Sequence, residues 1–166
     1  MLKLIRLSVI KRKYWFIGER EFMDLIQAEP EDAIELAEIR AAAMRPSLEA
    51  LGRYDAQRVR KRFLDTYVPA DTFKILHQGA LAGLYVIRDK GDHLYLDHLY
   101  ILPKYQNLRL GKAVVEYITR KAQFRQLPLR LGALRGSPAN AFYIKHGFIQ
   151  THEDEFDIYY ALSPIP

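Results

Sequence analysis

The residues whose types and spacing best suit chemistry lie at positions 99–113, in the segment LYILPKYQNLRLGKA. A run rich in Leu and Tyr, typical of a buried strand, ends at Pro103, and a helical pattern follows. The start of a helix presents unpaired backbone N–H groups and the positive end of the helix dipole, which suits a phosphate group. Gly111 lets the backbone approach a ligand, and Arg109 and Lys112 add positive charge. These residues indicate a phosphate-bearing ligand; an ordinary strand–loop–helix connection is the alternative.

The elements that must position this loop alternate along the chain in the order β α α β β β α β α β β. Helices are predicted at about 30–44, ended by Pro46, and at 55–67, 110–125 and 137–145. Strands are predicted at 24–28, 72–77, 80–89, 93–102, 128–134, 148–151 and 156–162. This order predicts a mixed α/β (α+β) domain with a partly antiparallel sheet.

Length and composition restrict the class of protein. A chain of 166 residues is long enough for one core and too short for two. Its 49% hydrophobic and 27% charged content is typical of a soluble domain, and no run of about 20 apolar residues exists to span a membrane. The absence of cysteine excludes disulfides, thiolate metal ligands and cysteine nucleophiles, and agrees with a reducing, cytoplasmic location.

The net charge of +5 is concentrated at the N-terminus. Residues 1–22 contain six Lys or Arg and two Glu, whereas the remainder is nearly neutral. We predict a basic N-terminal extension at 1–22 and one domain at 23–166. The extension is interpreted as an extra strand or helix packed on the domain, with a surface-lying amphipathic anchor as the alternative. Because the charge lies in one short segment, neither a nucleic-acid nor a membrane partner is expected.

The segment Gln106–Gly111 resembles motif A of the GNAT superfamily of N-acetyltransferases, whose signature is Gln/Arg-x-x-Gly-x-Gly/Ala. The strand that ends at Leu99–Pro103 precedes the motif as in the family. The chain departs from the signature at its first glycine, which is Arg109 here. If this position requires positive φ, arginine costs on the order of 1 kcal/mol there, and its charge could instead contact a phosphate.

A second segment, Ser137–Phe148, resembles a later signature of the same family, in which a helix carries Phe-Tyr and ends at Gly-Phe. Phe142-Tyr143 and Gly147-Phe148 stand at the expected spacing. The resemblance covers about residues 24–162. It implies a mixed, largely antiparallel central sheet with one parallel, splayed strand pair and with helices on both faces.

By this resemblance, acetyl-CoA is the co-substrate and lies between strands 93–102 and 128–134. Backbone N–H groups at 108–113 would hold the pyrophosphate, the backbone of Ile101 would pair with the pantetheine arm, and the N–H of Leu99 would polarise the acyl carbonyl. No metal is expected. The candidate cofactor-binding residues are Leu99, Ile101, Gln106, Asn107, Leu108, Arg109, Leu110, Gly111, Lys112, Ala113, Asn140 and Tyr143.

The resemblance also assigns two catalytic candidates. Tyr143, in the Phe-Tyr motif, would protonate the departing thiolate, the alternative being a packing role. The family places a carboxylate or histidine base on the strand at 93–102, which makes Asp97 the candidate base; a structural hydrogen bond is its alternative. The two-residue period predicts that Tyr95, Asp97, Leu99 and Ile101 share one face, with His98 on the other unless a bulge intervenes.

The implied activity is transfer of an acetyl group from acetyl-CoA to a primary amine. The alternative is a non-catalytic acyl-CoA-binding or regulatory module. By the same resemblance, the acceptor would be selected by the segment 44–55, which includes Arg45, Arg53 and Tyr54, and by the last hairpin at about 150–156, where an acidic turn lies. The arginines favour an anionic acceptor and the acidic turn favours an amine, so a small amine, a peptide N-terminus and a protein lysine all stay open. A homodimer is a separate possibility.

Overall fold

The computed structural model describes residues 13–16 and 22–166, and these residues form four helices and one eight-stranded sheet. The helices are α1 (Ala33–Ala50), α2 (Ala56–Leu64), α3 (Leu110–Phe124) and α4 (Ala139–Lys145). The strands are β1 (Lys13–Phe16), β2 (Phe22–Gln27), β3 (Thr72–His77), β4 (Ala80–Asp89), β5 (Leu94–Ile101), β6 (Leu129–Leu134), β7 (Ile149–Glu153) and β8 (Asp157–Leu162).

The strand order is β1-β2-β3-β4-β5-β6-β8-β7, and β5–β6 is the parallel pair in an otherwise antiparallel sheet of the described strands. The register of β5 and β6 consists of Leu94 with Leu129, Tyr95 with Arg130 and Leu96 with Leu131. Beyond these positions the two strands continue without pairing to each other. The predicted sheet with one splayed parallel pair is therefore confirmed.

Helices cover both faces of the sheet, as expected. Apolar residues of α3 such as Val114 and Ile118 pack with Leu94 and Leu96 of β5 on one face. On the other face, α1 and α2 pack on β4 through residues such as Phe63. The sheet is thus buried on both sides where β4 and β5 run through its middle, which fixes the position of the splayed strand ends.

The predicted end of the first helix at Pro46 is wrong, because α1 continues through the proline to Ala50. Proline removes one backbone N–H and its ring crowds the preceding turn, so a helix pattern alone favours an end there. The last turn is retained because Leu48 is buried with Ala41 and Val59 between α1 and α2. Packing against a neighbouring helix outweighs the local cost of the proline.

Part of the predicted N-terminal extension belongs to the sheet. Strand β1 pairs with β2 in antiparallel register from Lys13 with Leu25 to Phe16 with Phe22. The remainder of the extension lies outside the described residues. The division into an extension at 1–22 and a domain at 23–166 stays a prediction.

A β-bulge in β5 changes which side chains share a face. The register with β4 steps from Val86 opposite His98 to Ile87 opposite Leu96, so Asp97 is the extra residue. As a result, Leu96 and Leu99 both pack in the core on the α3 face. Strict alternation would place residues three positions apart on opposite faces. The expected common face of Tyr95, Asp97, Leu99 and Ile101 is wrong, since one inserted residue inverts the period.

Candidate active site

A cavity of about 400 Å³ opens where β5 and β6 separate, and we call it the splay cavity. It extends from Gly111, in the first turn of α3, past Leu99 and Ile101 to Tyr143 of α4 and Pro46 of α1. It is formed because neither strand end pairs with the other beyond Leu96 and Leu131. A long, thin ligand would therefore meet strand backbone at its middle and a helix start at one end.

The loop at 106–109 turns sharply into α3. Asn107 has φ of 69° and Arg109, the N-cap residue, has φ of 59°, so both are left-handed. The position of Arg109 therefore does have positive φ, and an arginine in this conformation costs on the order of 1 kcal/mol. The Ala113 N–H donates to the Arg109 carbonyl at 3.0 Å. The N–H groups at 110–112 precede this bond and have no intrahelical acceptor, so they form an anion-binding helix start.

The space around Gly111 shows whether this loop fits a pyrophosphate. A Cβ built on Gly111 would lie 3.7 Å from the ring of Phe142, an ordinary contact, and its φ is not positive. The protein's own packing therefore does not require glycine here. The missing side chain instead leaves space beside the N–H groups of the first turn, on the wall of the splay cavity. The loop fits a phosphate group held by backbone donors.

Five of the predicted cofactor-binding residues line the splay cavity: Leu99, Ile101, Gln106, Gly111 and Tyr143. The Gln106 side chain also donates to the Ile101 carbonyl at 3.0 Å, which ties the loop to the strand end. The other predicted residues are not in its wall: Asn107, Leu108, Arg109, Leu110, Lys112, Ala113 and Asn140. Those at 107–113 belong to the loop and first turn that carry the backbone donors.

Asn140 lies on the expected helix, α4, and its amide makes hydrogen bonds within the protein. Its amide nitrogen donates to the carbonyls of Leu134 and Ser137 at 2.9 and 3.0 Å, and its oxygen accepts from the Tyr160 hydroxyl at 2.9 Å. The amide is thus engaged within the protein. It holds the end of β6 and the start of α4 against β8, which keeps the wall of the splay cavity in place.

Tyr143 lies in the wall of the splay cavity with 7% of its surface exposed. Its ring contacts Phe142 and Phe148 at centroid distances of 5.2 and 5.5 Å. Burial, with a smaller contribution from Tyr100, raises the pKa of the Tyr143 hydroxyl above its usual range. The phenol therefore stays protonated at neutral pH and can act as a hydrogen-bond or proton donor.

A second cavity, of about 280 Å³, lies on the α1–α2 face of the sheet, and we call it the arginine cavity. Four arginines line it: Arg40 of α1, Arg53 of the following loop, and Arg58 and Arg62 of α2. Both cavities share a set of wall residues on α1, β5 and β6: Met44, Asp97, His98, Tyr100, Gly132 and Leu134. The two cavities therefore meet at the bulge of β5, one from each side.

Asp97 and His98 stand at this junction. The Arg88 Nε donates to Asp97 Oδ2 at 3.1 Å, so the structural hydrogen bond considered for Asp97 is present, from β4. His98 Nε2 lies 3.9 Å from the same oxygen, and its Nδ1 lies 3.2 Å from the Tyr100 hydroxyl. Burial, opposed by Asp97 and assisted by Arg40 and Arg88, lowers the pKa of His98 to about 4. His98 is therefore neutral at pH 7.

Sequence reasoning missed most of the arginine cavity. Of the three residues singled out in 44–55, Arg53 lines it, whereas Arg45 pairs with Glu49 at 2.7 Å and lies over Tyr54. The sequence did contain a signal for Arg40: it lies three and four residues after Ala37 and Leu36, on the apolar face of α1 that the structure buries. A charged residue at a buried helical position is unusual and marks either an ion pair or a binding site.

None of the described helices combines the length and apolarity needed to cross a bilayer. No cluster of three or more His, Asp or Glu suited to a metal ion occurs within the described residues.

Residues 69–150 match the sequence profile of the acetyltransferase (GNAT) domain. No curated protein sequence matches the chain. Among solved structures, the PaiA N-acetyltransferase of Thermoplasma acidophilum, in complex with coenzyme A, is similar with a TM-score of 0.67 at 16% identity, over 85% of this chain and 98% of that one. The ribosomal-protein-S18-alanine N-acetyltransferase of Escherichia coli gives a TM-score of 0.63 at 18% identity, over 87% and 96%.

An acetyltransferase of Thermus thermophilus gives a TM-score of 0.66 at 20% identity, over 85% of this chain and 96% of that one. At these identities the likeness shows the fold, and the profile match covers the splayed strand β5, the loop into α3 and the helix that carries Tyr143. The motifs, the fold and the profile agree: residues 69–150 match the acetyltransferase (GNAT) domain, and the chain has the fold of GNAT acetyltransferases.

Proposed function

We propose that this chain transfers an acetyl group from acetyl-CoA directly to the primary amine of an acceptor. The observation that carries the proposal is the meeting of two cavities at the splay of β5 and β6. One cavity ends at backbone donors suited to a pyrophosphate, and the other is lined by side chains suited to a polar acceptor. A direct transfer needs two substrates to meet from opposite sides, and this arrangement supports it.

The splay cavity would hold acetyl-CoA, which supplies the acyl group as a thioester. The N–H groups at the start of α3, beside Gly111, would hold its pyrophosphate, and the backbone of Ile101 its pantetheine arm. The Leu99 N–H would donate to the acyl oxygen as negative charge develops there. One such preorganised donor is worth roughly 3 kcal/mol of transition-state stabilisation.

Tyr143 would act on the sulfur side of the reaction. As a buried phenol with a raised pKa, it holds its proton at neutral pH. It would donate that proton to the sulfur when the bond between sulfur and the acyl carbon breaks. Its neighbours Phe142 and Phe148 contact the ring, which limits the positions that the hydroxyl can take.

Asp97 would accept the proton that the amine must lose, through a water molecule where direct contact is not made. It lies in the wall of both cavities, at the point where they meet. Arg88 fixes its carboxylate. Beside it, the Nε2 of the neutral His98 can take part in the same proton path. The absence of cysteine agrees with a direct mechanism and with a cytoplasmic location, where we place the reaction.

The proposal is tested by following thiol release from acetyl-CoA with a panel of primary amines, alongside a calorimetric titration of CoA. We expect CoA binding and amine-dependent thiol release. Tight binding of CoA with no turnover on any amine would instead favour the non-catalytic acyl-CoA-binding module.

The role of Asp97 is tested with Asp97→Asn, which keeps the shape and removes the base. Its rate defect should shrink as pH rises, because more of the amine is then unprotonated without assistance. A defect of the same size at every pH would reject Asp97 as the proton acceptor.

A further inference from the structure

The arginine cavity carries more positive charge than the protein neutralises. Arginines 45, 60, 88, 125 and 135 each lie within 3.4 Å of a carboxylate oxygen. The four arginines of the cavity differ, since none of them makes such an ion pair with the described residues. The carboxylates in the cavity wall are Asp97 and Asp157, and Arg88 from outside the wall already holds Asp97.

Arg40 is the deepest of the four, with 7% of its surface exposed. Its Nη1 donates to the Val59 carbonyl, and its guanidinium carbon lies 5.9 Å from the centre of the Tyr100 ring. Its Nε is buried without a hydrogen-bond partner. A buried charge without an opposite charge is strongly destabilising, so a guanidinium retained here with an unpartnered donor indicates an anion supplied by a ligand.

Arg53 is held at the mouth of the same cavity. Its guanidinium carbon lies 4.1 Å from the centre of the Phe156 ring, so the loop after α1 and the turn before β8 meet across the opening. Arg58 donates to the Arg53 carbonyl at 2.8 Å, which fixes that loop. The planar guanidinium presents a fork of donors matched to carboxylate and phosphate oxygens.

Asp157 offsets only part of this charge. It lies in the cavity wall, and burial and the nearby Asp154 raise its pKa, whereas Arg62 and Arg53 oppose that shift. The neutral His98 adds no charge at pH 7. The cavity thus has carboxylates near the junction with the splay cavity and at the start of β8, and an excess of guanidinium groups along α1, α2 and the loop between them.

We infer that the acceptor is a small amine that also carries an anionic group, a carboxylate or a phosphate, and that Arg40 and Arg53 bind this anion. The inference rests on the proposed acetyl transfer. The amine would lie at Asp97, where the two cavities meet, and the anion would supply the charge that Arg40 lacks. A volume of about 280 Å³ suits a compound of amino-acid size.

The test compares matched amines in the thiol-release assay. The carboxylate arm sets glycine and glutamate against their carboxamides, and the phosphate arm sets phosphoethanolamine against ethanolamine. We expect the anionic member of at least one arm to be preferred by about 10- to 100-fold in kcat/KM, as for charge-assisted hydrogen bonds. The arm that shows the preference identifies the anion.

Two variants locate the effect. Arg40→Met and Arg53→Gln should lose the preference for the anionic amine, whereas Arg45→Gln, on α1 but outside the cavity wall, should keep it. Should Arg40→Met fail to fold, Arg53→Gln, at a half-buried position in the loop after α1, carries the same test. Titration of the preferred anionic amine into the CoA complex gives a binding readout without turnover, and binding should weaken in both cavity variants.

The outcomes separate the two proposals. A protein that binds acetyl-CoA but acetylates no amine contradicts the proposed function. Acetylation of anionic and neutral amines with equal kcat/KM leaves that function standing and contradicts the inference alone. The inference is also overturned if both cavity variants keep the preference, or if peptides or protein lysines are the sole acceptors.

Discussion

The splay cavity and the arginine cavity meet at one bulge of β5 but are built from different chemical groups. The splay cavity presents strand backbone, a glycine and the N–H groups of a helix start, whereas the arginine cavity presents side chains. Backbone donors persist whatever side chains surround them, so they suit a ligand common to a whole family. Guanidinium and carboxylate side chains can be exchanged singly, so they suit a ligand that differs between members.

The two cavities also differ in how their charge is balanced. At the start of α3 the positive field comes from the helix dipole and unpaired amides, which cost little because they face the cavity. In the arginine cavity the field comes from full charges, of which Arg40 is deeply buried. Losing a ligand contact in the first cavity should therefore affect binding of CoA, and losing one in the second should affect the choice of acceptor.

The largest expected effect tests the backbone character of the splay cavity. Gly111→Glu places bulk and negative charge beside the N–H groups of α3, and CoA binding should become undetectable by calorimetry. Gly111→Ala is the control, because its Cβ would make an ordinary contact with Phe142 and the fold should be retained. Unchanged CoA affinity in a folded Gly111→Glu protein would remove the assignment of the phosphate to this loop.

Tyr143→Phe is the next largest change, and it separates catalysis from binding within the splay cavity. Removing one hydroxyl keeps the ring and its packing, so turnover should fall by about 10²- to 10⁴-fold while CoA affinity stays near normal. Tyr85→Phe, buried on the α3 face but outside both cavity walls, should leave turnover unchanged. Full activity of Tyr143→Phe would leave solvent as the proton donor to the thiolate.

A third prediction concerns the arginine cavity and its dependence on pH. The pKa of His98 is about 4 in the folded chain and about 6.5 when unfolded, so the unfolded state binds more protons between these values. The free energy of unfolding should fall as pH drops from about 6.5 towards 4, with a contribution of up to about 1.4 kcal/mol per pH unit from this residue.

Urea unfolding across that pH range should show that the free energy of unfolding of His98→Gln changes less steeply with pH than that of the unsubstituted chain. His152→Gln, at an exposed position of β7, is the control and should keep the slope. Equal slopes for the chain and for His98→Gln would mean that His98 is not buried as a neutral group, and the charge balance of the arginine cavity would need revision.

The smallest expected effect concerns Arg109, the exposed arginine of the loop at 106–109. Arg109→Gly relieves a left-handed arginine and should raise the free energy of unfolding by about 1 kcal/mol or less, or a few degrees in Tm. Asn107→Gly is the matched control, and it should gain less because asparagine tolerates this conformation. A fall in CoA affinity with a weaker salt dependence in Arg109→Gly would show that Arg109 also contacts phosphate, which would add a side chain to the backbone site.

The sequence by itself determined the order of the elements from residue 22 onward, the loop at 106–109 and the two family segments around Gln106–Gly111 and Ser137–Phe148. These features are local: a helix start, a glycine and a Phe-Tyr pair take their meaning from neighbours within a few residues. The place of Tyr143 on the short helix could be predicted for the same reason, whereas its catalytic role stays a prediction. Pro46 was misjudged because its effect on α1 is set by packing against α2.

Only the tertiary structure decided which residues meet across the sheet. The bulge at Asp97 depends on the register between β4 and β5, which no pattern within β5 specifies. The internal hydrogen bonds of Asn140 and the unpartnered Nε of Arg40 likewise depend on contacts with residues distant in sequence, Tyr160 and Val59 among them. Local spacing fixes which elements form, but partners far apart along the chain are brought together only by packing, and the acceptor side of this protein is made of such partners.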